Sequence, residues 1–133
     1  VRIVLDTNVF VSGVFFRGPP YEILKAWQDD RFQLVISQEI LQEYREVGEA
    51  LAKRFSGVDL SPILELLIVK AELTESPSLL EAVCDDPEDD KFLACALAGN
   101  SKLIISGDKH LLKISGYRGI KVIKPRKFFD DFL

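Results

Sequence analysis

Methionine is absent from the 133 residues, even at position 1, and histidine occurs once, as His110. The first absence leads us to expect a processed or trimmed chain; the second excludes chemistry that needs a histidine pair. The two cysteines, Cys84 and Cys95, are too few for a disulfide framework and lack metal-knuckle spacing. They are read as small buried apolar groups in a reduced, cytoplasmic protein. No apolar run approaches the ~18 residues of a membrane span. The leading run Val1–Leu5 meets Asp6 too soon to be a secretory core, so no membrane role is expected. A basic excess is also missing: 17 Lys and Arg face 21 Asp and Glu, a net charge of −4. That balance excludes a broad basic face driving nucleic-acid affinity by counterion release. A bound divalent cation would still reverse the sign of an acidic site locally.

What is present is ordinary globular material, 47% hydrophobic and 29% charged, which excludes a disordered chain. The length predicts a single domain over residues 1–133, with no repeat, linker or low-complexity tract. Five short apolar or β-branched runs read as strands: Val1–Leu5, Phe32–Ile36, Lys70–Thr74, Lys102–Ser106 and Ile120–Lys124. Helical spacing fills most of the intervals. Gly18-Pro19-Pro20 opens one helix with Ile23, Leu24 and Trp27, and Ser37 caps another carrying Ile40, Leu41, Tyr44, Val47 and Leu51. Ser61-Pro62 opens a third, Asp86-Pro87 a fourth through Phe92, Leu93, Ala96 and Leu97 to Gly99-Asn100, and Pro125 a last one. Strands alternating with helices predict a three-layer α/β/α fold around a parallel sheet.

In such sheets function collects beyond the carboxyl ends of the strands. Those ends hold Asp6, Ser37 and the run Ser106-Gly107-Asp108. A lone strand-end Asp is ordinarily a turn or cap residue, and Asp108 has that alternative before Leu111 and Leu112. Asp6 has it less, because Thr7-Asn8-Val9 opens no evident helix. On the helix after Ser37, Glu43 lies about 60° from the centre of the apolar arc and can lean into a crevice. Its plain alternative is a solvated flank residue paired with Arg45 or Arg54. Between Asp85 and Asp90 five of six residues are acidic. Capping by Asp86, with Pro87 at the first helical position, accounts for part of this run. Among the others Asp90, just before the core stripe, is expected to face the site. Free cations near these acids are few. Lys91 and Lys109 each adjoin one, and the segment Phe15-Phe16-Arg17-Gly18 pairs aromatic rings with a charge, as single-stranded nucleic acid prefers. Its plain alternative is that Phe15 or Phe16 packs beneath the first helix.

Taken together, Leu5-Asp6-Thr7-Asn8-Val9, Ile40-Leu41-Gln42-Glu43-Tyr44, Asp86-Pro87-Glu88-Asp89-Asp90-Lys91-Phe92-Leu93-Ala94 and Ile105-Ser106-Gly107-Asp108 resemble the PIN-domain nucleases. They are most similar to the prokaryotic branch assigned to the toxins of toxin–antitoxin pairs. The resemblance covers nearly the whole chain. It implies a five-stranded sheet ordered 3-2-1-4-5 and a carboxylate cluster holding Mg²⁺ or Mn²⁺, with Asp6, Glu43, Asp90 and Asp108 as catalytic and metal-binding residues. Asp6 and Asp90 would be the direct ligands. Asn8 and Ser106 would be supporting polar residues and Asp86 an additional acid of open role; beside the resemblance, the placement of Arg17, Lys91 and Lys109 makes them the candidate substrate-binding cations. The implied activity is hydrolysis of RNA to 5′-phosphate and 3′-hydroxyl ends by an endoribonuclease, with an antitoxin partner. A homodimer is implied by the resemblance and by the aromatic end Phe128-Phe129-Phe132. Two alternatives stand beside it. One is a PIN-fold module that binds RNA or protein without cutting. The other is a haloacid-dehalogenase-like phosphatase, which would want acids where Asn8 and Leu112 stand.

Overall fold

All five apolar runs fold as strands. In the computed structural model, which describes residues 1–133, they are β1 (Arg2–Leu5), β2 (Gln33–Ile36), β3 (Glu72–Leu73), β4 (Leu103–Ile105) and β5 (Lys121–Ile123). Every neighbouring pair is parallel, and the order is the expected β3-β2-β1-β4-β5. Ile3, Val4, Leu5, Leu34, Val35, Ile104 and Ile105 are all fully buried. Unbroken apolar strands of this kind require cover on both faces of the sheet, and flanking helices supply it. These are α1 (Thr7–Phe15), α2 (Pro19–Gln28), α3 (Gln38–Ala52), α4 (Ser61–Lys70), α5 (Asp90–Ala98), α6 (Lys109–Lys113) and α7 (Pro125–Phe132).

Proline opens α2 and α7 and stands second in α4, where its missing N–H costs nothing. Ser37 caps α3 by accepting the Ile40 N–H at 3.2 Å. Helix α1 is the element the sequence does not announce. Its valines, Val9, Val11 and Val14, are poor helix formers, and Asp6 accepts no capping N–H. Tertiary packing makes it. Val9, Phe10 and Val11 are buried, and Phe10 stacks on Tyr44 of α3 at 4.2 Å with planes 5° apart. The Tyr44 hydroxyl in turn donates to the Leu5 carbonyl at 2.5 Å. Gly13 lets α2 approach closely: a Cβ there would lie 2.6 Å from the Pro20 carbonyl oxygen and 2.7 Å from Leu24 Cδ1. Strand β3 is shorter than expected because Lys70 still belongs to α4. In the last helix Phe128 is buried against Phe32 and Phe132 stacks on Phe128 while remaining exposed, so the aromatic end is partly core.

The chain moves outward from β1 through β2 to β3, then returns to lay β4 on the other side of β1. Connections leaving β1 and β4 therefore diverge. The crevice this opens at their carboxyl ends is where doubly wound sheets place ligands.

Candidate functional site

Two strand ends form the floor of that crevice. The Asp6 N–H donates to the Ile105 carbonyl at 3.0 Å, and the Ser106 N–H to the Ile123 carbonyl at 2.9 Å. Sheet pairing thus fixes both residues side by side. Ser106, fully buried, connects the acids: its hydroxyl donates to Asp6 Oδ2 at 2.6 Å and accepts the Asp108 N–H at 2.9 Å. Asp108 does cap α6, through Oδ1 and the His110 N–H at 2.7 Å. Burial raises the pKa of Asp6 above the ordinary carboxylate value, the Ser106 hydrogen bond opposes this, and the charges of Asp108 and Glu43 add to the rise.

The acidic run adds a buried carboxylate, Asp89, next to the expected Asp90. Asp86 is the anticipated cap, accepting the Glu88 N–H at 3.0 Å. Pro87–Asp89 then forms a turn of 3₁₀-helix, and α5 begins only at Asp90. Both oxygens of Asp90 are turned to the preceding segment, accepting the Cys84 N–H at 2.8 Å and the Val83 N–H at 3.1 Å. Asp89 is the buried acid, 8% exposed, and its Oδ2 has no hydrogen-bond partner. Burial, then the charges of Asp108, Asp6 and Asp86, push its carboxyl up to about 7. A 3₁₀ turn advances each residue by about 120° instead of 100°, so the helical phase shifts by the time the chain enters α5. A signal for Asp89 was present: the positions three before Phe92 and four before Leu93, both buried, coincide on it.

Glu43 leans over this edge as expected, and both its oxygens are engaged. Oε1 accepts from the Thr7 hydroxyl, and Oε2 pairs with Lys91 Nζ at 2.5 Å. Lys91 is buried and also donates to the Glu88 carbonyl at 2.7 Å, so this cation is an internal counter-ion and not an exposed substrate contact. Lys109 and Arg17 are exposed, with the Arg17 guanidinium 4.3 Å above the Tyr21 ring. Asn8 is exposed near the start of α1. The cysteines are buried, Cys84 with its thiol pushed up to about 12, chiefly by burial.

The structure thus brings Asp6, Asp89 and Asp108 into one another's electrostatic reach, with Glu43 beside them and Lys91 as the one buried cation. This arrangement lacks positive charge. The donors are hard carboxylate oxygens, the set that suits Mg²⁺ or Mn²⁺, and Asp89 holds one oxygen buried and unpartnered. A divalent cation therefore fits the chemistry of the set. As the side chains stand, no three His, Cys, Asp or Glu groups are drawn close enough to chelate one ion, so binding would include a small inward movement of carboxylates.

No helix is long and apolar enough to cross a membrane. Comparison with curated proteins finds no match. The PIN domain family profile matches residues 2–110, from β1 into α6, and spans every acid described above. Members of that family are generally nucleases that typically use divalent metals. With a match over most of its length and the sheet order found above, the chain belongs to the PIN domain family.

Proposed function

We propose that this PIN domain is an endoribonuclease dependent on Mg²⁺ or Mn²⁺, and the toxin component of a toxin–antitoxin pair. One observation carries the reading. Carboxylates from the end of β1, the turn before α5 and the start of α6 meet at the reversal point of the sheet, mutually repelling and short of a cation. The toxin role and the antitoxin partner rest on the resemblance of the four motifs, a homodimer on that resemblance and the aromatic end Phe128-Phe129-Phe132, and a cytoplasmic location on the two unpaired cysteines. Residues 1–133 are proposed as one domain, because β5 beyond the matched region pairs with β4 and α7 packs on α2.

In this reading Asp6, Asp89 and Asp108 hold the metal. Asp90, expected as a ligand, instead braces residues 83–84. A bound cation supplies Lewis acidity, an activated water and charge stabilisation for the leaving oxygen. The protein's own groups set the geometry. Ser106 fixes the rotamer of Asp6 through its hydroxyl and the backbone of Asp108 through its oxygen. Thr7 and Lys91 hold Glu43, whose charge is largely balanced by Lys91, so Glu43 orients water or metal at the rim without adding a full negative charge. With one histidine in the chain, cleavage through the 2′-hydroxyl lacks its usual acid and base pair. Products should carry 5′-phosphate and 3′-hydroxyl ends.

The test is cleavage of a 5′-labelled single-stranded RNA in Mn²⁺. Asp6→Asn and Asp89→Asn should each lower the rate at least a hundredfold, and EDTA should abolish it. Cleavage that persists in both variants would sink the assignment. RNA binding without cleavage by the unaltered protein would favour the non-cutting module. Growth arrest on expression, relieved by a small adjacent gene, would test the toxin role separately.

A further inference from the structure

Two helical rows lead away from the acids. On α1 and just past its end, Asn8, Ser12 and Phe16 follow one another at four-residue spacing. On α3 and just past it, Glu43, Val47, Leu51 and Phe55 do the same. Residues four apart share a face, and Thr7, the neighbour of Asn8 at the head of the first row, bonds Glu43 at the head of the second. The rows end together: the Phe16 and Phe55 rings meet edge to face at 5.3 Å, with Phe15 at 6.4 and 6.1 Å from them. Phe15 is half-buried against the core, whereas Phe16 is 47% and Phe55 40% exposed. Ser12, Val47 and Leu51 between the two ends are half-buried, so both rows stay partly open to solvent from the acidic end to the aromatic one.

Both rings leave a large part of their surface open at the end of these rows, and the local charge indicates the sign of what could stack there. Arg17 adjoins Phe16, and Lys53 and Arg54 adjoin Phe55; all three are exposed. None of them takes part in an ion pair, while Lys70, Lys91, Lys113, Arg126 and Lys127 do. In a chain of net charge −4, these are cations outside any ion pair beside exposed aromatic faces, with Arg17 resting on the Tyr21 ring. Stacking rings plus cations is the combination that holds single strands of nucleic acid without base reading.

We propose that Phe16 and Phe55 form a stacking platform for an unpaired RNA base several nucleotides from the scissile bond, with Arg17 and Arg54 receiving the flanking phosphates. The inference rests on the ribonuclease reading for the identity of the strand. Helix α1 spans about 13 Å at 1.5 Å per residue, the length of roughly four stacked nucleotides at 3.4 Å each. A platform at that distance selects substrates with an unpaired segment of about four nucleotides beside the cut and rejects continuous duplex.

The experiment measures binding without cleavage: fluorescence anisotropy of a labelled eight-nucleotide single-stranded RNA in EDTA, with thermal melting to verify folding. The double variant Phe16→Ala/Phe55→Ala should weaken binding roughly ten- to a hundredfold, and Phe55→Trp should preserve it. Arg17→Ala and Arg54→Ala should each flatten the plot of log affinity against log salt by about 0.7. A folded double variant that binds with unaltered affinity, or equal preference for a duplex of the same sequence, overturns the platform. So does loss of self-association in the double variant with RNA binding intact, which would make the patch a surface between copies. The two readings fail separately. A protein that never cuts RNA but loses RNA binding in the double variant keeps the platform and loses the nuclease. One that cuts, with binding indifferent to both rings, does the reverse.

Discussion

Replacing Asp89 by Asn should stabilise the metal-free protein at alkaline pH while removing its response to metal. The native carboxyl is pushed from its ordinary 3.8 to about 7 by burial and by the charges of Asp108, Asp6 and Asp86. A carboxyl raised in the folded state holds its proton more tightly there than in the unfolded chain. Its contribution to stability is complete below pH 3.8 and lost as pH rises through about 7. The full displacement corresponds to about 4 kcal/mol. Because Asp108 is only half-buried and water screens the group from that side, about half of this, ~2 kcal/mol, should be regained by Asp89→Asn at pH 8. For a chain of this size that is a rise of about 7 °C in Tm. The assay is thermal melting in EDTA between pH 5 and pH 8. The unaltered protein should melt lower at the alkaline end, and the variant should lose most of that slope. A residue of it should survive, because the pKa of Asp6 is raised in the same sense. Saturating Mn²⁺ should then stabilise the unaltered protein by about 2.7 kcal/mol at a hundred times Kd, and the variant far less. An Asp89→Asn protein that melts with the unaltered Tm and slope in EDTA would refute the reasoning.

Three further outcomes are expected from the same geometry. Asp90→Ala should cost about 2 kcal/mol by freeing the Val83 and Cys84 N–H groups, measured by denaturant unfolding, and should leave the Mn²⁺-induced rise in Tm in place. Ser106→Ala should weaken Mn²⁺ binding about ten- to a hundredfold, as loss of a ligand's supporting hydrogen bond generally does; calorimetric titration would read it. Gly13→Ala should destabilise by at least about 2 kcal/mol, because the new Cβ would meet the Pro20 backbone carbonyl, which cannot swing aside as a side chain would.

The sheet was legible because burial on both faces writes each strand as an apolar run, and the turn and cap residues between the runs are strong signals. Ser37, Pro19, Pro62, Asp86 and Pro125 each mark a helix start close to where the structure has one. Helix α1 was not legible, and the reason is local. Asp6 stands where a cap would stand, but its carboxylate is taken by the Ser106 hydroxyl, one hundred residues away in sequence. The helix itself is valine-rich, so neither capping nor propensity announces it. Its stability comes from Phe10 on Tyr44 and from the close contact at Gly13, both long-range facts. The strand β3 shows the converse. Its apolar run was visible, but only Glu72 and Leu73 pair with β2, because α4 continues to Lys70.

In the site, residue type was easier to read than phase. Carboxylates at the ends of β1 and β4 were visible from strand ends alone, and Glu43 from its offset on α3. The acidic run was harder, because five acids in six positions leave the choice of the inward one to the exact helical rotation. Asp86 caps the segment; an α-turn after it would carry Asp90 inward, whereas the 3₁₀ turn that forms buries Asp89. Lys91 is explained by the same shift. With Asp89 facing the crevice, Lys91 lies two residues on, against α3, where Glu43 receives it. The cation that adjoins a candidate acid in sequence is buried and balances one acid of the cluster, Glu43. Of the four carboxylates only Glu43 has such a partner. The three left without one, Asp6, Asp89 and Asp108, come from three separate elements that the fold brings to one edge of the sheet. Carboxylates gathered from three elements with no cation of their own are what supports reading this set as a divalent-metal site rather than as caps and turn residues alone.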